Sequence, residues 1–159
     1  MLNITLITLG KLKEKYWRDA EAEYLKRLKP YAKITIRELK EESFSEKDKP
    51  ETIKKKEAEK IARALNLLKN NFIIILDEHG QESPSFDFAR NFDNAMSKQS
   101  GNAVFIIGGP LGLDESILKL AHLKLSLSKM TFTHQMARVF LLEQIYRAMM
   151  IKQGRKYHY

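Results

Sequence analysis

Two runs of apolar residues constrain the fold of this chain more than any other feature. They cover residues 72–76 and 103–107, and neither contains a polar side chain. A strand that is apolar on both of its faces is typical of the centre of a parallel sheet that helices cover on both sides. Each run is followed by a turn and then by residues with helical periodicity. The sequence therefore predicts an α/β fold with a mostly parallel sheet flanked by helices.

The remaining patterns complete an alternating order of strands and helices, βαβαβαβαβα, in a single domain of residues 1–159. The predicted strands are residues 2–9, 33–39, 72–76, 103–107 and 123–127, and the strand at 72–76 is expected to end at residues 77–80. The predicted helices are residues 13–28, one that follows Pro50, one that begins near Pro84, 114–121 and 134–152. Residues 33–39 alternate in polarity, which favours a sheet edge. Residues 40–50 are highly charged and predict a loop.

Positive charge is concentrated in the C-terminal part of the chain. Residues 116–159 contain eight lysine or arginine residues and one acid, Glu143. Because the whole chain has 28 basic and 20 acidic residues, residues 1–115 keep 20 and 19, and the C-terminal block carries nearly all of the net charge of +8. Such asymmetry predicts a phosphate-rich partner.

Composition excludes several classes of protein. Since the chain has no cysteine, it contains neither a disulfide nor a thiolate nucleophile nor a cysteine-ligated zinc ion. The four histidines show no metal-ligand spacing, so we expect no metal site. The sequence has no apolar run of about 18 residues and no signal-peptide pattern at its start. We therefore expect a soluble cytoplasmic protein without a membrane partner.

Two turns follow predicted strands and are candidates for a ligand site. The first is Gly108-Gly109-Pro110-Leu111-Gly112, and the second covers residues 126–133. Ligands collect at the carboxyl ends of strands in α/β sheets. The first turn is not a P-loop, which needs Gly-Lys before Ser or Thr, and it is not a dinucleotide fingerprint, because residues 116–142 contain no acid to bind a ribose. From the residues alone, a simple tight connection remains equally open.

The final helix has apolar residues around most of its circumference. Met136, Val139, Leu142, Ile145 and Met149 form one apolar face, and further apolar residues lie outside it. We expect that one core cannot cover all of them and that the protein is a homodimer with this helix in the interface. A wholly internal helix is the alternative. At the start of the helix, spacing alone favours a locally bonded role for His134.

Five segments of the chain resemble one known family. They are ITLITLGKLKEKYW, FIIILDEHG, IIGGPLGL, LSLSKMTFTHQMARVFLLEQIYRA and the final YHY. These segments are similar, in register and over essentially the whole chain, to the ribosomal RNA large subunit methyltransferase H family of the SPOUT class. Two positions depart from the family pattern. Thr133 stands where relatives often have proline, which predicts a looser helix start, and Tyr159 stands where many relatives have a basic residue.

The resemblance implies an activity and a cofactor site. The activity is transfer of a methyl group from S-adenosyl-L-methionine to N3 of a pseudouridine in 23S ribosomal RNA within the assembled ribosome. The resemblance also implies a homodimer, no metal, no DNA partner and a C-terminal trefoil knot, which is a rare exception among folds. The implied cofactor-binding residues are Leu76, Gly108, Gly109, Leu127, Ser128, Lys129, Met130, Thr131 and Phe132.

The candidates for catalysis are His134, Arg147, Tyr157 and His158. N3 of a uracil-type ring carries a proton, so a general base favours its methylation, and the two histidines are the candidate bases. Arg147, together with Arg138 or Lys129, is a candidate for stabilising negative charge on the ring. Tyr157 is a candidate for stacking on the base. The basic, aromatic tail is expected to reach the cofactor pocket of a second subunit.

Two functions from other classes remain open on the residues alone. A non-catalytic ribosome-binding or assembly factor uses the same basic block but binds no cofactor. The other is a flavodoxin-like small-molecule binder, a function that does not explain the basic C-terminal block.

Overall fold

A five-stranded parallel sheet forms the centre of the structure, a computed structural model that describes residues 1–157. The strands are β1 (Leu2–Leu9), β2 (Ala32–Leu39), β3 (Phe72–Gln81), β4 (Asn102–Ile107) and β5 (Leu123–Leu125). Their order across the sheet is β2-β1-β4-β3-β5, and each neighbouring pair is parallel. The predicted α/β class is confirmed, and β2 lies at an edge as its alternating polarity indicated.

Helices cover both faces of the sheet. They are α1 (Lys15–Leu28), α2 (Pro50–Asn66), α3 (Ser85–Lys98), α4 (Glu115–Leu118) and α5 (His134–Lys152). Alternate residues of β4 point to opposite layers: Phe105 belongs to the core with α1, α3 and α5, whereas Val104 and Ile106 belong to the core with α2 and α4. This explains why the strand is apolar throughout. The trefoil knot stays a prediction.

The last helix, α5, is covered within its own chain to a greater extent than the sequence predicted. It packs between α1 and α3 on one face of the sheet. Its buried residues include Leu141, Leu142, Ile145 and Met150, which point in several directions around the helix axis. Two flanking helices and the sheet therefore cover more of this helix than we expected, although they do not cover all of its apolar residues. Phe140 remains exposed, and this is where the case for a partner now lies.

The end of β3 also differs from the prediction. Residues 77–80 were expected to end the strand, but β3 continues to Gln81 through an irregularity in which both Leu76 and Gln81 pair with Leu125. Gly80 is required in this irregularity, since a Cβ atom there would lie 2.7 Å from the carbonyl carbon and oxygen of Lys124. The extra residues carry the polar side chains of β3 to the carboxyl edge of the sheet.

Two helix boundaries are shifted by local hydrogen bonds. α1 begins at Lys15 rather than at Lys13, because the Lys13 N–H donates to the Gln135 side chain at 2.8 Å and joins a loop that contacts α5. α4 ends at Leu118 rather than at Ala121, whose N–H bonds only three residues back, to the Leu118 carbonyl. Among the helices of residues 1–157, none combines the length and apolar composition needed to cross a membrane.

Candidate active site

A cleft of about 830 Å³ lies at the carboxyl edge of β3, β4 and β5. Three connecting segments and one residue of α2 form its walls. They are residues 76–79, 107–113, 127–128 with 130–135, and Lys54, and the lining is completed by Leu118, Leu125 and Ala137. The two turns that the sequence marked as candidates therefore face one another across a single cavity. Its volume is in the range of pockets that hold cofactor-sized molecules.

The glycine turn after β4 forms one wall of the cleft. The Gly112 N–H donates to the Gly109 carbonyl at 3.0 Å, and Gly112 has a φ angle of +79°, which glycine adopts without strain. An added Cβ atom at Gly108 would lie 2.9 Å from Cγ of Leu113, whereas at Gly109 the nearest atom would be 3.6 Å away. A side chain at Gly108 therefore disturbs the turn itself, and Gly109 is the better position for probing a ligand.

The segment after β5 forms the opposite wall and is held by side-chain hydrogen bonds to β3. The buried Ser126 hydroxyl lies 3.2 Å from the Glu78 carbonyl oxygen and 2.9 Å from that of Ser128. The Thr131 hydroxyl donates to the Glu78 carboxylate at 2.6 Å. These contacts turn the chain after Leu125, which is why β5 stops there rather than at residue 127. The wall is preorganised by β3 residues that the sequence patterns did not single out.

Most of the predicted cofactor-binding residues come together in this cleft. Eight of the nine line it: Leu76, Gly108, Gly109, Leu127, Ser128, Met130, Thr131 and Phe132. The ninth, Lys129, is exposed and is not part of the lining. The structure adds Lys54, Asp77, Glu78 and His79, which the sequence analysis did not name for this role. Asp77, Glu78 and His79 could have been found from the sequence, because they are charged or polar residues directly after a buried strand.

His134 lies at the end of the cleft next to the N-terminal loop. Its Nε2 atom is buried and has no hydrogen-bond partner among residues 1–157. A Cβ atom at Gly10 would lie 3.1 Å from this Nε2 and 3.0 Å from a Glu41 carboxylate oxygen. The helix that begins at His134 is capped by Thr133, whose side chain accepts from the Met136 N–H at 3.4 Å. Threonine thus supplies a side-chain cap that proline lacks, and the looser helix start stays a prediction.

Arg147 and Tyr157 lie outside this cleft in the same chain. The Arg147 guanidinium donates to Glu143 at 2.6 Å and lies 5.0 Å from the centre of the Tyr157 ring. The hydrogen bond to Glu143 raises the pKa of Arg147. The Tyr157 ring also contacts Tyr146, with 4.9 Å between ring centres. His158, the remaining candidate for catalysis, lies outside the described residues.

Comparisons with known proteins identify the family. Residues 2–158 match the family described as "Predicted SPOUT methyltransferase". The chain belongs to the SPOUT methyltransferase family. Two similar proteins, each named Ribosomal RNA large subunit methyltransferase H, come from Clostridium acetobutylicum (45% identical over 160 residues) and Clostridium beijerinckii (49% over 162). Each alignment covers 99% of this chain and 99% of the relative. The family resemblance of the sequence segments is thus confirmed.

A more distant relative agrees with this assignment, and one solved structure has a similar fold. The relative, from Symbiobacterium thermophilum, has the same name and is 41% identical over 160 residues, with 99% of both chains covered. The structure is that of a probable methylase family protein from Haemophilus influenzae Rd KW20, with a TM-score of 0.53 and 14% identity. It covers 99% of this chain and 70% of the other. At this identity the likeness concerns the fold alone.

In this SPOUT methyltransferase, part of the C-terminal positive charge is paired with acids of the same chain. Arg138 is buried and binds Glu21 and Glu38, and Lys152 binds Asp93. Arg138 is therefore not available to stabilise charge on a substrate, as the sequence analysis had allowed. Lys129 is exposed beside the cleft and remains available for a polyanion. Within residues 1–157, no group of three or more His, Asp or Glu residues has the arrangement of a metal site.

Proposed function

We propose that this protein transfers a methyl group from S-adenosyl-L-methionine to large-subunit ribosomal RNA in the cytoplasm. The target in this proposal is N3 of a pseudouridine in 23S ribosomal RNA within the assembled ribosome. The observation that carries it is the end-to-end identity of 45% and 49% to relatives named Ribosomal RNA large subunit methyltransferase H. The cleft supports it, because eight residues expected to bind the cofactor line one cavity. A non-catalytic ribosome-binding or assembly factor is not favoured, since the family is one of methyltransferases.

The proposed reaction makes modest demands on the protein. The sulfonium group is an activated donor: its S–CH₃ bond breaks as the N3–CH₃ bond forms, and the N3 proton passes to a base. S-adenosylhomocysteine and the methylated RNA are the products. The protein has to align the methyl carbon with N3 and to accept one proton, and a positioned pair of reactants supplies much of the rate. The proposal needs no metal.

Four residues have roles in this proposal. His134 lies at the cleft, so its imidazole is the candidate base within the chain that holds the cofactor. Arg147, Tyr157 and His158 belong to the last helix and the tail, and the first two lie outside the cleft of their own chain. We assign them to the cleft of a partner subunit, where a guanidinium, an aromatic ring and an imidazole suit a flipped base.

The surface beside the cleft supports the proposed homodimer. Met130 is 74% exposed and Phe140 is 37% exposed. The Phe140 ring packs edge-on against Phe132, with 5.3 Å between ring centres. Because Met130 and Phe132 also line the cleft, this apolar patch is continuous with the candidate site. A second copy that covers the patch would be adjacent to the cofactor, as a shared site requires.

A methyl-transfer assay on ribosomes tests the proposal. Ribosomes and protein-free 23S ribosomal RNA, both from cells without the modification, are incubated with the protein and methyl-labelled S-adenosylmethionine. We expect label in the large-subunit RNA and a reverse-transcription stop, because a methyl group at N3 blocks the pairing edge of the base. Assembled ribosomes should be methylated far better than free RNA. Ribosome binding without methyl transfer or cofactor binding would instead identify a non-catalytic factor.

A further inference from the structure

The charged side chains that line the cleft are few and of both signs. Among the described residues, its lining contains one lysine, Lys54, and two acids, Asp77 and Glu78. The cleft is therefore locally acidic in a chain whose net charge is +8. An RNA-binding surface alone does not explain this, because phosphates favour cationic side chains. The arrangement points to a small ligand that itself carries both signs of charge.

Lys54 lies on the glycine-turn side of the cleft. It belongs to α2, one turn after the helix begins at Pro50, and it is half-buried. Hydrogen bonds from the Ser116 hydroxyl and N–H lower the pKa of Asp114, which follows the glycine turn, and the positive charges of Lys55 and Lys54 contribute. No carboxylate among residues 1–157 lies within 4.0 Å of the Lys54 ammonium. A half-buried lysine that lines a cleft and has no carboxylate within ion-pair distance is suited to an anionic ligand group.

The two acids follow the buried part of β3. The Asp77 carboxylate accepts the His79 N–H at 3.0 Å, and the Glu78 carboxylate accepts the Thr131 hydroxyl at 2.6 Å. Each bond uses one of the several lone pairs of a carboxylate, so both acids keep capacity to accept from a cationic ligand. The cleft thus combines one cation from α2 with two anions from β3.

We propose that Lys54 binds the α-carboxylate of the methyl donor and so orients its amino-acid part toward α2. This inference rests on the proposed function. S-adenosylmethionine carries one carboxylate, one ammonium and one sulfonium group, and the lining carries one cation and two anions. The two sets of charges are complementary, and among the lining residues that the structure describes Lys54 alone is a lysine or arginine, the sign that a carboxylate needs. The acids then face the ammonium and sulfonium groups.

A double-mutant-style cycle, in which the ligand loses its carboxylate and the protein loses the Lys54 charge, tests this pairing. Calorimetry measures the Kd of S-adenosylmethionine and of decarboxylated S-adenosylmethionine, which lacks the carboxylate, for the wild type and for Lys54→Met. Methionine keeps the apolar stem and removes the charge. Lys55→Met is the matched control, because Lys55 is the next residue of α2, is exposed and is not part of the lining. Lys54→Arg retains the charge and should largely restore affinity.

The expected result is specific to the carboxylate. Lys54→Met should bind S-adenosylmethionine about 10-fold or more weakly, the effect of a lost charge-assisted hydrogen bond, but decarboxylated S-adenosylmethionine within about 2-fold of wild type. An equal loss for both ligands, or no loss for either, overturns the pairing. Unchanged cofactor affinity with weaker ribosome binding overturns it in favour of an RNA phosphate. A wild-type protein that binds neither ligand contradicts the proposed function itself, which separates the two failures.

Discussion

The buried ion cluster around Arg138 provides the sharpest test of how this fold is held together. The Arg138 side chain is 4% exposed, and those of Glu21 and Glu38 are 13% and 31% exposed. Its guanidinium donates to Glu21 through two nitrogens and to Glu38 at 2.7 Å. The cluster joins α5 to α1 and β2. Replacing Arg138 by methionine keeps most of the packing volume but leaves two carboxylates without their cation.

The structure allows the cost of this change to be worked out. Breaking a buried ion pair by removing one partner costs about 3–5 kcal/mol. Because Glu38 keeps partial contact with water, we expect the lower end, about 3 kcal/mol, for Arg138→Met. For a domain of this size that loss lowers Tm by about 6–12 °C. Urea unfolding followed by circular dichroism measures the free energy, and a thermal scan measures Tm.

Two further variants separate charge from packing. Arg63→Met removes an exposed arginine whose Nη2 lies 3.9 Å from Glu59, and it should cost under about 0.5 kcal/mol. Adding Glu21→Gln and Glu38→Gln to Arg138→Met should recover more than half of the loss, since no uncompensated charge remains. A cost for Arg138→Met below about 1 kcal/mol would refute the reasoning. A triple variant with no recovery would show that packing, not charge, is responsible.

Three other changes have definite expected results. Burial raises the pKa of Glu57 above its ordinary value of 4.5, so ionisation of this carboxyl group in the folded protein costs stability as pH rises from 4.5 through the folded-state pKa. Glu57→Gln should therefore gain stability relative to wild type between pH 4.5 and 8, measured by urea unfolding. A stability difference that stays constant with pH would contradict this. Gly80→Ala should cost several kcal/mol, because its Cβ atom would lie 2.7 Å from the Lys124 backbone, whereas Gly109→Ala meets nothing closer than 3.6 Å and should leave Tm nearly unchanged. Two variants test the shared site: Gly109→Val, which changes the cleft, and a chain truncated after Gly154, which lacks the tail. Folded homodimers of either variant should be inactive. A mixed dimer has one site that pairs an intact cleft with an intact tail, so it should regain activity. Inactive mixed dimers, or a fully active truncated homodimer, would exclude the shared-site model.

The sequence by itself determined the order of the elements and the places where the ligand site begins. Apolar periodicity is a local property, so residues 72–76 and 103–107 could be recognised as central strands without knowing their neighbours. The same holds for the turns that end the strands, because parallel strands bring their carboxyl ends to one edge. Eight of the nine residues inferred from the family segments accordingly line one cleft.

Only the tertiary structure decided which charged residues form ion pairs and which residues line the cleft. Arg138 and Glu21 are 117 residues apart in the chain, and Thr131 and Glu78 are 53 apart, so no periodicity links them. The sequence counted Arg138 as part of a basic surface, whereas the fold buries it against acids from α1 and β2. Likewise, the packing of α2 beside the glycine turn brings Lys54, the first of three consecutive lysines, into the cleft. Ion pairs and pocket walls depend on distances between remote segments, and only the folded chain sets those distances.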